Sequence, residues 1–532
     1  MGKYFTLLYI TIFFSVASFA QTYNWAFGEG GIGNDAATSV ATDELGNTYI
    51  TGNLAGVADF SGNTIQGKGV YDIFLAKYDA NGNFVWIRTA GAQKNDQGNA
   101  LRYHNGNLYL SGYFNDSLQI ASSLYLGKGN TDVFVAKYDK DGNFLWANVA
   151  GGTGSDVSSS LDVDQFGNVY IAGSYSNSIQ FDTTTLTTTN LFKESFVAKY
   201  NSSGQRQWAK SVIGNSTNLI TGVASDKDAS VYLCGFFGGN FKYDNTTISS
   251  SSPSYDIMLL KINTDGQLAW LKKAGSTFED GANAITCDKD GNPIMVGYFA
   301  GTASFDANTV TYKSYNDVFV AKYDPQGNNQ WVRAGKGQEL DVAYSVVTDD
   351  NNNVIVTGMF QDEVDFDGNI QTGTKRDVYI VSYNANGNFR WMTKGGGGDT
   401  DCGLYVALKP NGDVVICGYY LYTCSFGSIQ IDYANNNDLF IASFTPPLVN
   451  SLSDEPNTEK HLFLYPNPTT SEVFIEGLTK NEKCYLLNSV GERLPIEIHE
   501  NQISLSAFSS GVYLLKISNG TSVDRTYSIV KY

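Results

Sequence analysis

All seven tryptophans of this chain fall on one register, at Trp25, Trp86, Trp146, Trp208, Trp270, Trp331 and Trp391. Successive spacings are 61, 60, 62, 62, 61 and 60 residues. Such phasing means structural units of about 60 residues, each placing an indole in an equivalent environment. A Gly follows each Trp by 26 or 27 residues: Gly52, Gly112, Gly173, Gly235, Gly297, Gly358 and Gly418. The residue before it is usually small, which sets Cys234 and Cys417 in a crowded interior slot as core residues rather than ligands.

Each unit reads as four short strands. In the second they run roughly over 99–103, 108–113, 133–138 and 144–149. Tight turns such as Asp79-Ala-Asn-Gly-Asn83 and Asp288-Lys-Asp-Gly-Asn292 join the first pair and the second pair. Gly or Asn there supplies the positive φ that short hairpin loops demand. These turns lack the remaining ligands and the distal Glu of a calcium loop. A longer excursion with a small β arm, marked by Ala58-Asp-Phe60 and Ala303-Ser-Phe305, separates strands two and three. Four-stranded units repeated around a ring make a propeller. The expected fold is all-β: a seven-bladed β-propeller over residues 21–444. The last repeat ends after its third strand, and the N-terminal segment 23–27 offers the missing fourth, closing blade seven.

A content of 55 Gly, 34 Tyr and 31 Phe with only 10 Pro suits an antiparallel β protein. The net charge of −18 argues against nucleic acid and anionic lipid as partners. Lys3, the apolar run from Phe5 to Phe14, and small residues at Ser18 and Ala20 read as a signal peptide over 1–20, with the mature chain starting near Gln21. No other apolar run reaches membrane-spanning length, so no membrane span is expected in the mature chain. Six Cys in an exported chain permit disulfides, and two of Cys402, Cys417 and Cys424 are close enough in sequence to pair.

The unit Trp-x-x-x-x-Gly…Asp…Val-Ala-x-Asp-x-x-Gly-Asn-x-Tyr-x-x-Gly…Asp-x-Phe-x-Ala-Lys-Tyr resembles the bacterial β-propeller repeat called SBBP, over about residues 23–444. That resemblance implies a fold and an extracellular setting, not a reaction. Beyond a Pro-containing linker at 445–460, residues 461–532 show Leu464-Tyr-Pro-Asn-Pro468, Tyr485-Leu-Leu-Asn-Ser-Val-Gly491 and Ser510-Gly-Val-Tyr-Leu-Leu-Lys-Ile517. Alternating apolar residues and Gly turns predict a small β-sandwich. The segment resembles the type A sorting domain of type IX secretion substrates. The resemblance implies Sec export, engagement of the type IX secretion machinery and delivery to the cell surface or the medium.

Two acidic positions recur with the units. Ten residues after each Trp stand Asp35, Asp96, Asp156, Asn218, Asp280, Asp341 and Asp401. Fourteen before each later Trp stand Asp72, Asp132, Glu194, Asp256, Asp317 and Asp377, with Asp438 in the last repeat. Both sets are expected near one face of the disc. They read either as a carboxylate-lined funnel, for which calcium is the candidate ion, or as acceptors for nearby backbone N–H groups. Positions repeated in nearly every unit favour the second reading. The residue after the repeated Gly varies, and Tyr113, Phe236, Tyr298 and Tyr419 are the candidates for contact with a glycan or a protein ligand. Three His, no phosphate loop and no Cys/His metal spacing leave enzyme signatures weak. The expected function is a secreted binding module. A carboxylate-dependent glycan-processing enzyme and a structural matrix component are the alternatives.

Overall fold

The computed structural model describes residues 22–447 except 189–190 and 252–253. Within 463–532 it describes all but 466–468, 477–482, 489–491, 497, 500–501 and 519–524. The signal peptide 1–20, most of the linker and the Pro-Asn-Pro of the C-terminal motif lie outside the described residues. The chain divides into two compact units, Met1–Pro447 and Leu448–Tyr532.

Among the described residues every regular element is a strand. One repeat consists of Gln97–His104, Asn107–Phe114, Asp132–Asp139 and Phe144–Gly151, paired antiparallel in that order. Each strand extends one or two residues beyond the span expected from sequence at one or both ends. The arm Ser117–Ile120 and Ser123–Leu126 forms its own hairpin. The same plan recurs with first strands Ala36–Thr42, Val157–Val163, Asn218–Ser225, Gly281–Cys287, Val342–Thr348 and Cys402–Leu408. The last of these repeats has no fourth strand of its own beyond Ile429–Phe444. Tyr23–Gly31 pairs there antiparallel, with Trp25 opposite Ser443 and Phe27 opposite Ile441.

The repeated Gly is steric in origin. A Cβ on Gly52 would lie 1.9 Å from the Ala36 carbonyl oxygen, and one on Gly418 equally close to that of Cys402. Strand one bulges beside it, between Ala37 and Ser39 and again between Gly403 and Tyr405. The bulge presses the first strand onto the second, and only a residue without a side chain fits. The Asp-x-x-Gly-Asn turns are held by their own carboxylate. Asp43 Oδ1 accepts from the amides of Leu45 at 3.0 Å and Asn47 at 2.9 Å, and Oδ2 from the Asn47 side chain at 2.7 Å. Those oxygens are spent on the turn.

The Trp register marks contacts between repeats as well as packing within them, as of Trp86 on Tyr49. The indole of Trp331 lies against Gly387, in the turn before the fourth strand of the next repeat, and its Nε1 donates to the Ala385 carbonyl at 3.1 Å. Trp208 does the same with Gly266 and the Thr264 carbonyl at 3.0 Å, and Trp270 with Gly327 and Pro325 at 3.1 Å. Trp25, on the N-terminal strand, lies against Gly82 of the first repeat. The arms add backbone links, as where Gly30 pairs with Asp59 and Ala150 with Phe181. First strands of neighbouring repeats pack side by side, and Ala36–Thr42 touches both Gln97–His104 and Cys402–Leu408. Side chains stitch them. Thr38 Oγ1 donates to the Gly98 carbonyl at 2.6 Å, Asn99 to that of Ser158 at 2.8 Å, Asn283 to that of Ala343 at 2.9 Å, and Thr42 Oγ1 to that of Leu408 at 2.5 Å.

The six Cys are all free thiols. Cys402, Cys417 and Cys424 are buried, and no pair among them is bridged. Cys402 stands opposite Tyr419 and Cys417 opposite Tyr405, so closeness in sequence does not make them cross-strand partners.

The C-terminal unit contains two four-stranded antiparallel sheets. One runs Phe463–Tyr465, Glu472–Glu476, Gln502–Ser504, Ile498–His499; the other Arg493–Leu494, Lys483–Leu487, Gly511–Ser518, Arg525–Lys531. Both contribute to one core, which includes Val473, Ile503, Leu486, Leu515 and Ile529.

Candidate functional site

Strand two of each repeat leads out into its arm, running on without a break in Val354–Phe366 and Val414–Phe426, so the residue after the repeated Gly sits at the rim. At one point of that rim, side chains from non-consecutive parts of the chain enclose a cavity of about 420 Å³. Tyr113 and Tyr419 line it together with Tyr71, Asn34, Asn53, Asn95, Gln97 and Asn437. Tyr113 Oη donates to Gln97 Oε1 at 3.2 Å, and Gln97 Nε2 donates to Asn99 Oδ1 at 2.9 Å. Asn53 Nδ2 donates to the Asn34 carbonyl at 3.2 Å. Burial raises the Tyr113 phenol above its ordinary value and pushes Tyr419 up to about 12, so both stay protonated donors at neutral pH. Half-buried aromatic faces flanked by amides suit a ligand with both apolar and hydroxyl surface.

The other two aromatic candidates sit elsewhere on the rim. Tyr298 packs with Tyr344, Leu404 and Tyr419 around Val342, Met359 and Cys402. Phe236 meets the ring of Tyr255 edge-on at 5.3 Å. The rim therefore joins Tyr113 to Tyr419 in one cavity and Tyr298 to Tyr419 in one apolar cluster, while Phe236 stands apart.

The first strands also enclose an inner cavity of about 370 Å³, lined by Thr38, Asn99, Ser159, Thr221, Asn283 and Tyr344, which occupy one equivalent position in their repeats. One asymmetric group there escaped sequence reasoning. Arg102 Nε lies 3.1 Å from Asp162 Oδ1, and its guanidinium stacks over the Tyr405 ring at 5.4 Å while hydrogen-bonding its hydroxyl. Sixteen residues after each Trp the chain reads Ala41, Arg102, Asp162, Ala224, Thr286, Val347 and Ala407. Adjacent opposite charges in an otherwise uncharged position were the available signal. Asp162 also accepts from the Ser225 amide and hydroxyl, both at 2.7 Å, so the charge is satisfied internally.

The recurrent acids do not line either cavity as a ring. Asp96, Asp156, Asp280, Asp341 and Asp401 are fully buried, Asp35 nearly so, and only Asp35 borders the rim cavity. All but Asp341, which accepts from Gln361 alone at 3.1 Å, bridge two backbone segments. Asp96 accepts from Ala92 at 2.8 Å and Asn115 at 3.0 Å; Asp401 accepts from Gly397 at 2.7 Å and Leu421 at 3.3 Å. Burial pushes Asp35, Asp96 and Asp280 up to about 6, Asp156 to about 7, and Asp341 and Asp401 to about 8. Among the described residues, no three His, Cys, Asp or Glu side chains converge as a metal site.

These features define an all-β protein of repeated four-stranded units with a separate C-terminal β-sandwich. Residues 463–531 match the secretion system C-terminal sorting domain, which indicates export by type IX secretion to the cell surface or extracellular space. Over 79% of its length the chain is 23% identical to an uncharacterised WD repeat-containing protein of Acanthamoeba polyphaga mimivirus. Over 36% it is 28% identical to the regulatory protein FlaEY of Caulobacter vibrioides. The chain spans 36% and 22% of the lengths of these relatives. Among solved structures it is similar to the WD40 β-propeller domain of Doa1, at 12% identity and a TM-score of 0.41, covering 80% of this chain and 98% of that one. It is similar also to Sqt1 from Chaetomium thermophilum, at 10% identity and a TM-score of 0.39, covering 75% and 83%.

Proposed function

We propose that residues 21–444 form a closed seven-bladed β-propeller of the SBBP kind that serves as an exported glycan-binding module. Ring closure is supported by the contact of the first strand Ala36–Thr42 with the last, Cys402–Leu408, and by the pairing of Tyr23–Gly31 with Ile429–Phe444. The observation that carries the binding reading is the rim cavity, where three tyrosines, Tyr71, Tyr113 and Tyr419, stand among five amide side chains. Sugars offer an apolar ring face and hydroxyls, which aromatic and amide groups match. The Tyr113→Ala, Tyr419→Ala double variant is expected to lose at least about tenfold in affinity for the best glycan on an array, the loss of one stacking contact or more. Absence of any glycan ligand for the parent protein, or equal binding by the variant, would overturn this reading.

The sorting segment gives the second expected outcome. A chain truncated after Pro447 is expected to accumulate in the periplasm of a type IX-competent host rather than reach the surface or medium. Cell fractionation decides it; normal surface delivery of the truncated chain would contradict the routing role.

A further inference from the structure

The two recurrent acidic positions meet across the boundary between successive repeats. The third-strand Asp of one repeat and the first-strand Asp of the next flank the same backbone, five residues after each Trp. A Cβ placed on Gly30 would lie 2.5 Å from Asp438 Oδ1 and 2.9 Å from Asp35 Oδ2; on Gly91, 2.3 Å from Asp72 Oδ1 and 2.8 Å from Asp96 Oδ2. This accounts for the Gly of the Trp-x-x-x-x-Gly pattern at Gly30, Gly91, Gly151, Gly275 and Gly396, which the hairpins themselves do not require. Gly30, Gly91 and Gly396 have φ of 144°, 143° and 151°, and the facing carboxylates leave no room for a side chain.

The hydrogen count is one short at five of the six Asp/Asp junctions, Asp72/Asp96 being the exception. The outer oxygens are supplied by loop amides: Lys128 and Gly129 donate to Asp132 Oδ2 at 2.9 and 3.3 Å, and Ser176 to Asp156 Oδ1 at 3.3 Å. Between the two inner oxygens stands one N–H. At Asp132/Asp156 it comes from Gly152 and goes to Asp156 Oδ2 at 2.8 Å, leaving Asp132 Oδ1 buried and without a partner. At Asp256/Asp280 the Ser276 amide goes to Asp280 and orphans Asp256 Oδ1; at Asp377/Asp401 the Gly397 amide goes to Asp401 and orphans Asp377 Oδ1. At Asp317/Asp341 the choice is reversed: Gly337 donates to Asp317 Oδ1 at 3.0 Å, and Asp341 Oδ2 is orphaned. Whichever acid takes the amide, the other lacks a hydrogen.

Two junctions depart from the pattern. At Glu194/Asn218 the first-strand acid is an amide and the flanking Gly is replaced by Ile213; Asn218 Oδ1 accepts from the Ser195 amide at 3.1 Å, while its Nδ2 is buried without a partner. At Asp317/Asp341 the flanking position is Lys336. Asn is the isostere of a protonated Asp.

We infer that each of the five Asp/Asp junctions that are one hydrogen short holds one proton shared between its two carboxyl groups, so that the pair bears a single negative charge at neutral pH and acts as a proton-dependent clasp between successive repeats. Two full charges at this spacing in a desolvated site repel strongly, and neutralising one removes that repulsion while supplying the missing hydrogen. The neighbouring charges do not replace it. Lys313, Lys336 and Glu339 act on the Asp317/Asp341 pair, and Lys394 and Asp399 on Asp377/Asp401. Only Lys394 reaches a carboxylate of these two pairs, at 3.5 Å, and it reaches the outer oxygen, Asp377 Oδ2. The raised pKa values of Asp341 and Asp401, each about 8, agree with a retained proton.

The sign of the consequence is fixed by linkage. An acid whose pKa is higher folded than the roughly 3.9 of the unfolded chain binds more protons when folded. Its stabilisation is complete below pH about 4 and is lost as pH rises through the folded values, about 6 to about 8. The full chain is expected to melt at least about 5 °C higher at pH 5 than at pH 8.5. Because relief of the overall negative charge acts in the same direction, the Asp341→Asn and Asp377→Asn variants carry the test. Each is expected to raise the melting temperature at pH 8.5 and to flatten its pH dependence. The infrared band of protonated carboxyl groups, present in the parent protein at pH 7, is expected to weaken in both. Absence of that band at pH 7 would overturn the inference even if a variant failed to fold. So would calcium raising the melting temperature of the parent but not of the variants, since the pairs would then hold a cation instead.

Discussion

Replacing Trp331 by Ala is expected to cost about 3–5 kcal/mol of folding stability, the range for deleting a large buried aromatic. Its indole is 6% exposed, packs on Gly387, and spends its N–H on the Ala385 carbonyl. Truncation therefore opens a cavity at a boundary between repeats and removes one of the two donors to that carbonyl, leaving Lys322 Nζ at 3.2 Å. Trp146, only partly buried and with a longer 3.4 Å bond to the Ser202 carbonyl, is expected to cost less when changed to Ala. Urea unfolding of the two full-chain variants against the parent measures both. A loss below about 1 kcal/mol for Trp331→Ala would show that the indole does not lock successive repeats together.

Removing residues 22–31 behind the signal peptide is expected to abolish the soluble monomer. The segment supplies the strand paired to Ile429–Phe444, with Tyr23 packed 5.4 Å from the Phe426 ring and 5.0 Å from Phe444. Without it, a long strand with buried Phe440, Ala442 and Phe444 becomes an open edge, a template for pairing with other chains. Trp25 is lost at the same time, and with it the contacts to Gly82 and to the ammonium of Lys409, 4.8 Å from its ring. Size-exclusion chromatography is expected to show oligomers and aggregate, and a synthetic peptide of residues 22–31 added during refolding is expected to restore part of the monomer. A truncated protein that elutes as a monomer and melts like the parent would refute the structural role of this strand.

The repeat was legible because it rests on residue types with narrow uses. Trp must be buried against something, Gly marks places where a side chain cannot fit, and Asp-x-x-Gly-Asn closes a hairpin in few ways. Spacing alone therefore disclosed the strands, their order in each repeat and the N-terminal segment as a supplier of a strand. The C-terminal segment was readable for the same reason, as short alternating runs punctuated by Gly. The four rim aromatics were visible as a variable position in a regular frame, but nothing local said that Tyr113 and Tyr419, 306 positions apart, share a cavity while Phe236 does not. The lone Arg102–Asp162 pair was hidden because it departs from the repeat, and reading by period discounts what does not recur.

What each Trp and each Asp does was decided only in three dimensions. A period reveals that positions are equivalent, yet their partners here lie in the next repeat and come into contact only when units pack side by side. Trp331 against Gly387 and Asp317 against Asp341 are both contacts of that kind. Sequence determined the unit, because strands and turns follow from local residue chemistry. The tertiary structure decided the junctions, because burial, facing oxygens and a single amide between them are properties of two units together.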